Sequence, residues 1–344
     1  MKAAMLKGPN MLSVDTVSRP DCPPGGLLVR VTRCAICASD ARMVSKGHAG
    51  LVYPRIPGHE LAGVVSETRN AQFVTGDRVQ IYPGLSCGRC SACRRGEPRR
   101  CVCLRTMGFS ADGGFAEYVA LEASSVTSGG VNRVPDNVSD SQAAFAEPLA
   151  SCLNAQEKVR VGAGDSVLII GAGTLGILHS RLARHRGASK IFITELDKQR
   201  LESAQALAGA DRVIDAGLER IPQVIASETG SRGMDVILLA ANAMAVVNLL
   251  PLLVDDGRLS LFAGISKDLN FERFDINQIH YRELELTGAF GSTPQQNTAA
   301  LDLISAGLPV ADLVTITLTI DEIHQGIDYT NNRLGLRAMV CFDT

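Results

Sequence analysis

A chain of 344 residues with 46% hydrophobic and 20% charged side chains is long enough for about two or three domains and too apolar for disorder. Its formal charge of −2, from 34 basic and 36 acidic residues, excludes a broad electrostatic nucleic-acid binder, which would be markedly basic. Aromatics at 4% and the absence of tryptophan exclude a stacking platform for single strands.

The first nine residues carry no apolar run, so no export signal is expected and the protein is read as cytoplasmic. In that setting ten cysteines point to thiolate–metal chemistry rather than disulfides. Residues 1–148 are rich in Gly, Pro and Cys, with short β-branched runs at 27–31, 62–65 and 78–81. Short strands between turn signals predict a β-barrel or sandwich. Cys37-Ala38-Ser39-Asp40 stands at an apolar-to-polar junction, and Gly58-His59-Glu60 follows 22 residues after Cys37. Alone, each of these side chains is more often structural than a ligand. Together with Glu147-Pro148, at the end of the β-rich region, they can form an open zinc site of one thiolate, one imidazole and one or two carboxylates, with a position left for water or substrate.

Between these lies the sharpest pattern in the chain, Cys87-x-x-Cys90-x-x-Cys93 with Cys101 beyond. Four thiolates in one loop close a tetrahedral shell, so a zinc ion there would be structural. The same ligands suit an iron–sulfur cluster, and a disulfide pair is the bland alternative. Arg89, Arg94, Arg95, Arg99 and Arg100 offset the thiolate charge. Cys103 is off the spacing, and Cys22, Cys34, Cys152 and Cys341 read as small apolar residues. No internal repeat is visible.

From about Gly164 strand and helix signals alternate. Strands are predicted at 166–170, 190–194, 212–214, 235–239, 258–262 and 284–288, with helices at 174–186 and 197–208. Such alternation requires a parallel sheet, and six strands match the doubly wound dinucleotide-binding fold. Gly171-Ala172-Gly173-Thr174-Leu175-Gly176 follows the first strand and opens a helix. Gly171 permits the tight turn, Gly173 lets backbone approach a pyrophosphate at the helix end, and Gly176 allows close packing. An acid is expected at the end of the second strand; Glu195 lies there, 19 residues after Gly176. A carboxylate accepts ribose hydroxyls and repels a 2′-phosphate, so NAD is favoured over NADP; Lys198 and Arg200 read as surface charges. The plainer alternative for the glycines is a strand-to-helix turn without ligand. Residues 236–254 carry no charge, yet include Asn242, Asn248 and Pro251; they read as a buried strand followed by a buried helix, not a membrane span. The tail from 291, with a helix at 296–304 and strands at 314–318 and 338–342, is too short for its own core and is expected to pack on another domain.

These motifs, with Gly113-Gly114-Phe115-Ala116-Glu117-Tyr118 and Glu147-Pro148-Leu149, resemble the medium-chain, zinc-dependent alcohol dehydrogenases over essentially the whole chain, nearest to the sorbitol and threonine dehydrogenase branch. The resemblance implies a GroES-like β-barrel catalytic domain (1–148, with the zinc lobe at 87–101) interrupted by a Rossmann NAD-binding domain (149–290) and completed by residues 291–344. It implies that Cys37 and His59 bind a catalytic zinc, with Glu60 joining in some states. Glu147 takes the third ligand position, where alcohol dehydrogenases proper have cysteine. Ser39 relays the substrate proton, and Asp40 orients the site. His48 is a candidate last link of the relay, its plainer reading being a surface histidine. His179, His185, His280 and His324 are assigned no chemistry. Ala35 and Ala38 replace the family's usual glycines, Thr68-Arg69-Asn70 replaces a glycine-containing loop, and 127–132 reads as a small insertion.

The expected activity is hydride transfer between a secondary alcohol (a polyol, sugar alcohol or threonine-like amino alcohol) and NAD. Two zinc ions per chain are expected, with a homodimer or homotetramer, a small alcohol or ketone as substrate, and no nucleic-acid or membrane partner. A zinc-free reductase of the same fold and a non-catalytic NAD or redox sensor are the alternatives. The open-site ligands and the cysteine lobe weigh against both.

Overall fold

The computed structural model describes residues 1–48, 50–241, 248–264 and 275–342. It divides into two compact units, Met1–Ala150 with Ser292–Thr344, and Ser151–Gly291.

In the first unit the strand Leu27–Ile36, buried at eight of its ten positions, is the spine of a seven-stranded sheet. It pairs antiparallel with Glu60–Thr68 on one side and Arg337–Cys341 on the other, and its first half also pairs with Tyr118–Leu121. Arg78–Ile81 and then Val131–Arg133 extend the sheet past Glu60–Thr68, while Val314–Leu318 runs parallel beside Arg337–Cys341. The sheet folds over one apolar core that includes Leu27, Val29, Ile36, Leu61, Phe115 and Val340. In the stretch read as a small insertion, Val131 and Asn132 belong to the edge strand and the Gly130 carbonyl accepts the Tyr82 N–H. The tail also carries a helix, Ile323–Asn331, that the sequence reading lacked. Gly326 within it lies so close to Ile36 that a Cβ would meet Ile36 Cδ1 at 2.4 Å.

The pairing register positions the chemistry. Ala35 stands opposite Glu60 and Ile36 opposite Ala338. Side chains distant in sequence, Cys37, His59, Glu60 and Arg337, therefore gather where three strand ends meet.

The second unit is a six-stranded parallel sheet in the order Arg212–Asp215, Lys190–Glu195, Ser166–Ile170, Met234–Leu239, Leu253–Leu261, Glu285–Gly288. This is the doubly wound order of dinucleotide-binding folds. Ser166–Ile170 is buried at every position, as a central strand covered on both faces must be. The fifth strand begins at Leu253, five residues earlier than the sequence pattern indicates, because it bulges before Arg258. Asp197 is the N-cap of the helix Lys198–Leu207, accepting the Arg200 N–H. Of the uncharged stretch, 236–239 lies in a strand and Leu250–Leu252 in a 3-10 turn; the helix expected between them falls at 242–247, outside the described residues. Among the described residues no helix is long and apolar enough to cross a membrane.

Candidate active site

Cys37 is the N-cap of the helix Ala38–Lys46, and its N–H donates to Asp40 Oδ2 at 2.9 Å. Asp40 is fully buried. Its other oxygen faces His59 Nδ1 at 3.1 Å and accepts the Gly58 N–H at 3.4 Å. With Nδ1 as donor, the imidazole turns a bare Nε2 outward, the tautomer a metal requires. The backbone of Gly58 is clamped: a Cβ there would meet Phe115 at 2.8 Å and Cys34 Sγ at 2.9 Å, and one on Gly113 would meet the Gly58 carbonyl at 2.1 Å. Only glycine at both places allows the strand entering His59 to lie so close to its neighbours.

Ligand atoms of Cys37, His59 and Glu60 lie within 4.8 Å of one another. Glu60 is 1% exposed, yet neither carboxylate oxygen has a hydrogen-bond partner. Its nearest cation is the buried Arg337, 3.4 Å away. Burial raises the Glu60 pKa, opposed by Arg337. Burial disfavours the charged ring of His59, but Asp40 outweighs it and holds the pKa well above the ordinary value. Glu147, in the first turn of the helix Ala146–Lys158, stands outside the tight triad but feels its charges. Burial pushes it up to about 7, with His59 opposing and Glu60 adding. A half-buried thiol, an oriented imidazole and a carboxylate with no hydrogen bond on either oxygen fit a divalent cation.

Ser39 is partly exposed and makes no hydrogen bond among the described residues. His48 accepts the Gly50 N–H on Nδ1 and sets its ring against Phe109, which itself packs on His59 with centroids 5.6 Å apart. No hydrogen bond joins His48 to Ser39. The sequence reading missed Phe109, and it missed Arg337, whose only signal was a charge opening an apolar strand.

The cysteine lobe brings all four expected sulfurs within 4.8 Å of one another, with Cys90–Cys93 at 3.5 Å and Cys87–Cys101 at 3.4 Å. Four sulfurs held at zinc–thiolate bond lengths stand about 3.8 Å apart, so the set fits such an ion. Backbone N–H groups of Cys87 and Cys103 point at Cys101 Sγ, and those of Cys93 and Val102 lower the Cys90 pKa to about 6.

In the second unit, Gly173 is the N-cap of the helix Thr174–His185. A Cβ on Gly176 would stand 1.9 Å from the Gly171 carbonyl. Thr174 and Gly176 are buried in the helix's first turn, on either side of Leu175. Glu195 closes its strand and accepts the Ala172 N–H on one oxygen and the Leu196 and Asp197 N–H groups on the other. Beside it a cavity of about 140 Å³ is lined by Gly171, Thr194, Leu196 and Ile221. A larger cavity of about 500 Å³, in the first unit near Arg55, Met107 and Tyr118, includes none of the candidate residues.

Residues 23–135 match the alcohol dehydrogenase GroES-like domain, and residues 174–306 match the zinc-binding dehydrogenase domain. An L-threonine 3-dehydrogenase from a Marinomonas strain is 29% identical over 95% of this chain and 94% of its own length. One from Vibrio parahaemolyticus is 28% identical over 98% and 97%. Among solved structures, a zinc-binding dehydrogenase from Sinorhizobium meliloti bound to NADP is 28% identical with a TM-score of 0.90, covering 99% of both chains. An alcohol dehydrogenase from Escherichia coli complexed with NADH is 25% identical with a TM-score of 0.88, again covering 99% of both chains.

Proposed function

The chain belongs to the medium-chain zinc-dependent alcohol dehydrogenases, in the threonine dehydrogenase-like branch, and from that premise we propose that it oxidises a polyol, sugar alcohol or threonine-like amino alcohol with NAD. The observation that carries this reading is the Cys37–His59–Glu60 cluster, in which the buried Glu60 keeps both oxygens without a hydrogen bond.

Cys37, His59 and Glu60, with Glu147 as the remaining acid, would hold the catalytic ion. Zinc bound there supplies a positive charge that makes a substrate hydroxyl acidic, and NAD supplies the hydride acceptor. The protein's own contributions follow from its hydrogen bonds. Asp40 fixes the His59 ring and its tautomer. Ser39, with no hydrogen-bond partner among the described residues, has its hydroxyl available to take the substrate proton. His48 is not hydrogen-bonded to Ser39, so a water must complete any relay through it.

Cys87, Cys90, Cys93 and Cys101 would hold a second, structural zinc, giving two per chain. At the cofactor site the glycine backbone receives the pyrophosphate, and Glu195 disfavours a 2′-phosphate. The preference is therefore for NAD, although the Sinorhizobium relative was solved with NADP. Glu285–Gly288 is an edge strand of its sheet, which supports self-association as a homodimer or homotetramer. Ten free thiols support a cytoplasmic setting. The test is a dehydrogenase panel of sugar alcohols, cyclitols, butanediols and threonine with either cofactor, with zinc counted on the same preparation. Turnover with NAD, two zinc ions per chain and a dead Cys37→Ser variant are expected. Full activity in the Cys37→Ser variant refutes the reading.

A further inference from the structure

The cysteine lobe carries more charge than a structural metal explains. Residues 87–105 hold six arginines and one acid, Glu97, a formal +5 in a chain of net −2, so the rest of the chain carries −7. A zinc tetrathiolate lowers the lobe by two and leaves it clearly cationic. Glu97 is shared by Arg95 at 3.4 Å and Arg100 at 3.5 Å, whose side chains are 63% and 65% exposed. Arg94 donates Nε to the Arg89 carbonyl, and among the described residues neither Arg89 nor Arg94 has a carboxylate partner. In the same loop Val102 is 81% exposed and Leu104 is 37% exposed.

Against the expectation of no membrane partner, we propose that this lobe docks the protein on an anionic phospholipid bilayer. Guanidinium groups pair side-on with phosphate oxygens, and a cluster of four or more basic residues is the usual scale for attraction to an anionic leaflet. The exposed aliphatic pair has a place at the acyl boundary that a purely aqueous partner would not offer. Residues 87–105 contain no aromatic side chain, so the base stacking that a nucleic acid would exploit is missing. The acidic remainder is repelled by the same membrane, which leaves the lobe as the attracted face.

The test is co-sedimentation of the full-length, zinc-loaded protein with vesicles of phosphatidylcholine, alone or with about one-third phosphatidylglycerol. Binding to the mixed vesicles at low salt, none to the neutral ones, and release near 0.5 M salt, where screening shortens to about 4 Å, are expected. The variant R89Q/R95Q/R100Q should lose roughly a hundredfold in partitioning, about fivefold per arginine, while Glu97→Gln should gain about fivefold. Zinc content and melting temperature of both variants should match the parent. Equal sedimentation with neutral vesicles, binding to neither kind, or unchanged partitioning of the triple variant overturns the proposal. So does capture of a short duplex DNA without vesicle binding.

Discussion

Replacing Asp40 with asparagine isolates one oxygen and leaves the shape of the site intact. The carboxylate accepts from three donors: the Cys37 N–H on Oδ2, and His59 Nδ1 and the Gly58 N–H on Oδ1. An amide cannot satisfy them all. With its oxygen toward His59, its NH₂ faces the Cys37 N–H, donor against donor, beside a zinc ligand. Reversed, the NH₂ faces Nδ1 and forces the proton to Nε2, so the imidazole loses the lone pair a metal needs. A hydrogen bond to a charged group contributes about 1.5–3 kcal/mol, which corresponds to roughly 10–100-fold in an equilibrium constant. Substitutions of groups that orient metal ligands cost about that much in affinity. Zinc competition with a chromophoric chelator should therefore show one site weakened by roughly 10–100-fold and the cysteine-lobe site unchanged. Equal affinity of both sites for parent and variant would refute the assignment of Asp40 as the group that holds His59.

Gly176→Ala should weaken NADH binding roughly 5- to 150-fold by fluorescence titration, because its Cβ would stand 1.9 Å from the Gly171 carbonyl and overpacking of this kind costs about 1–3 kcal/mol; unchanged binding would place the cofactor elsewhere. His179 gives a pH prediction. It is fully buried, and burial, with Arg186 adding, lowers its pKa to about 3. The folded state thus binds its proton more weakly than the unfolded chain, so its stabilising contribution is complete above about pH 6.5 and falls as the pH drops toward 3. At pH 5 about 2 kcal/mol should be lost. In a His179→Gln variant the fall in melting temperature between pH 7 and pH 5 should shrink, and an identical fall would remove His179 from the acid response.

What the sequence disclosed was what neighbours in the chain decide. The strand 166–170 is a continuous apolar run, and the lobe's ligands are spaced within one loop, so both read directly. Elements governed by distant contacts did not. The helix Ile323–Asn331 contains Gly326, which lowers helix propensity and reads as loop; close contact with Ile36 on another strand requires it. The sequence reading held no helix over 146–158, although proline is tolerated in the first turn of the helix Ala146–Lys158, where Pro148 stands. Arg337 became part of the site only through the pairing of its strand with Leu27–Ile36, a register that no local pattern announces. Phe109 had no signal at all, because only its contact with the His59 ring gives it meaning.

Glu60 separates the proposed dehydrogenase from a zinc-free reductase or a non-catalytic sensor on the same fold. A carboxylate that is 1% exposed and hydrogen-bonded through neither oxygen is costly to retain, since burial of unpaired polar atoms opposes folding and Arg337 at 3.4 Å compensates only in part. A protein with no cation to receive would be better served by a neutral side chain of the same size. Glu60→Gln is that side chain. Metal-free Glu60→Gln should melt within a few degrees of the metal-free parent, because relief of the buried carboxylate is offset by the loss of a partner for the buried Arg337. On zinc addition the two should separate, with the parent gaining more thermal stability, as ligand binding to the native state requires. A Gln variant that unfolds several degrees earlier without metal, and gains as much from zinc as the parent, would show that Glu60 serves the fold through Arg337 and not the ion.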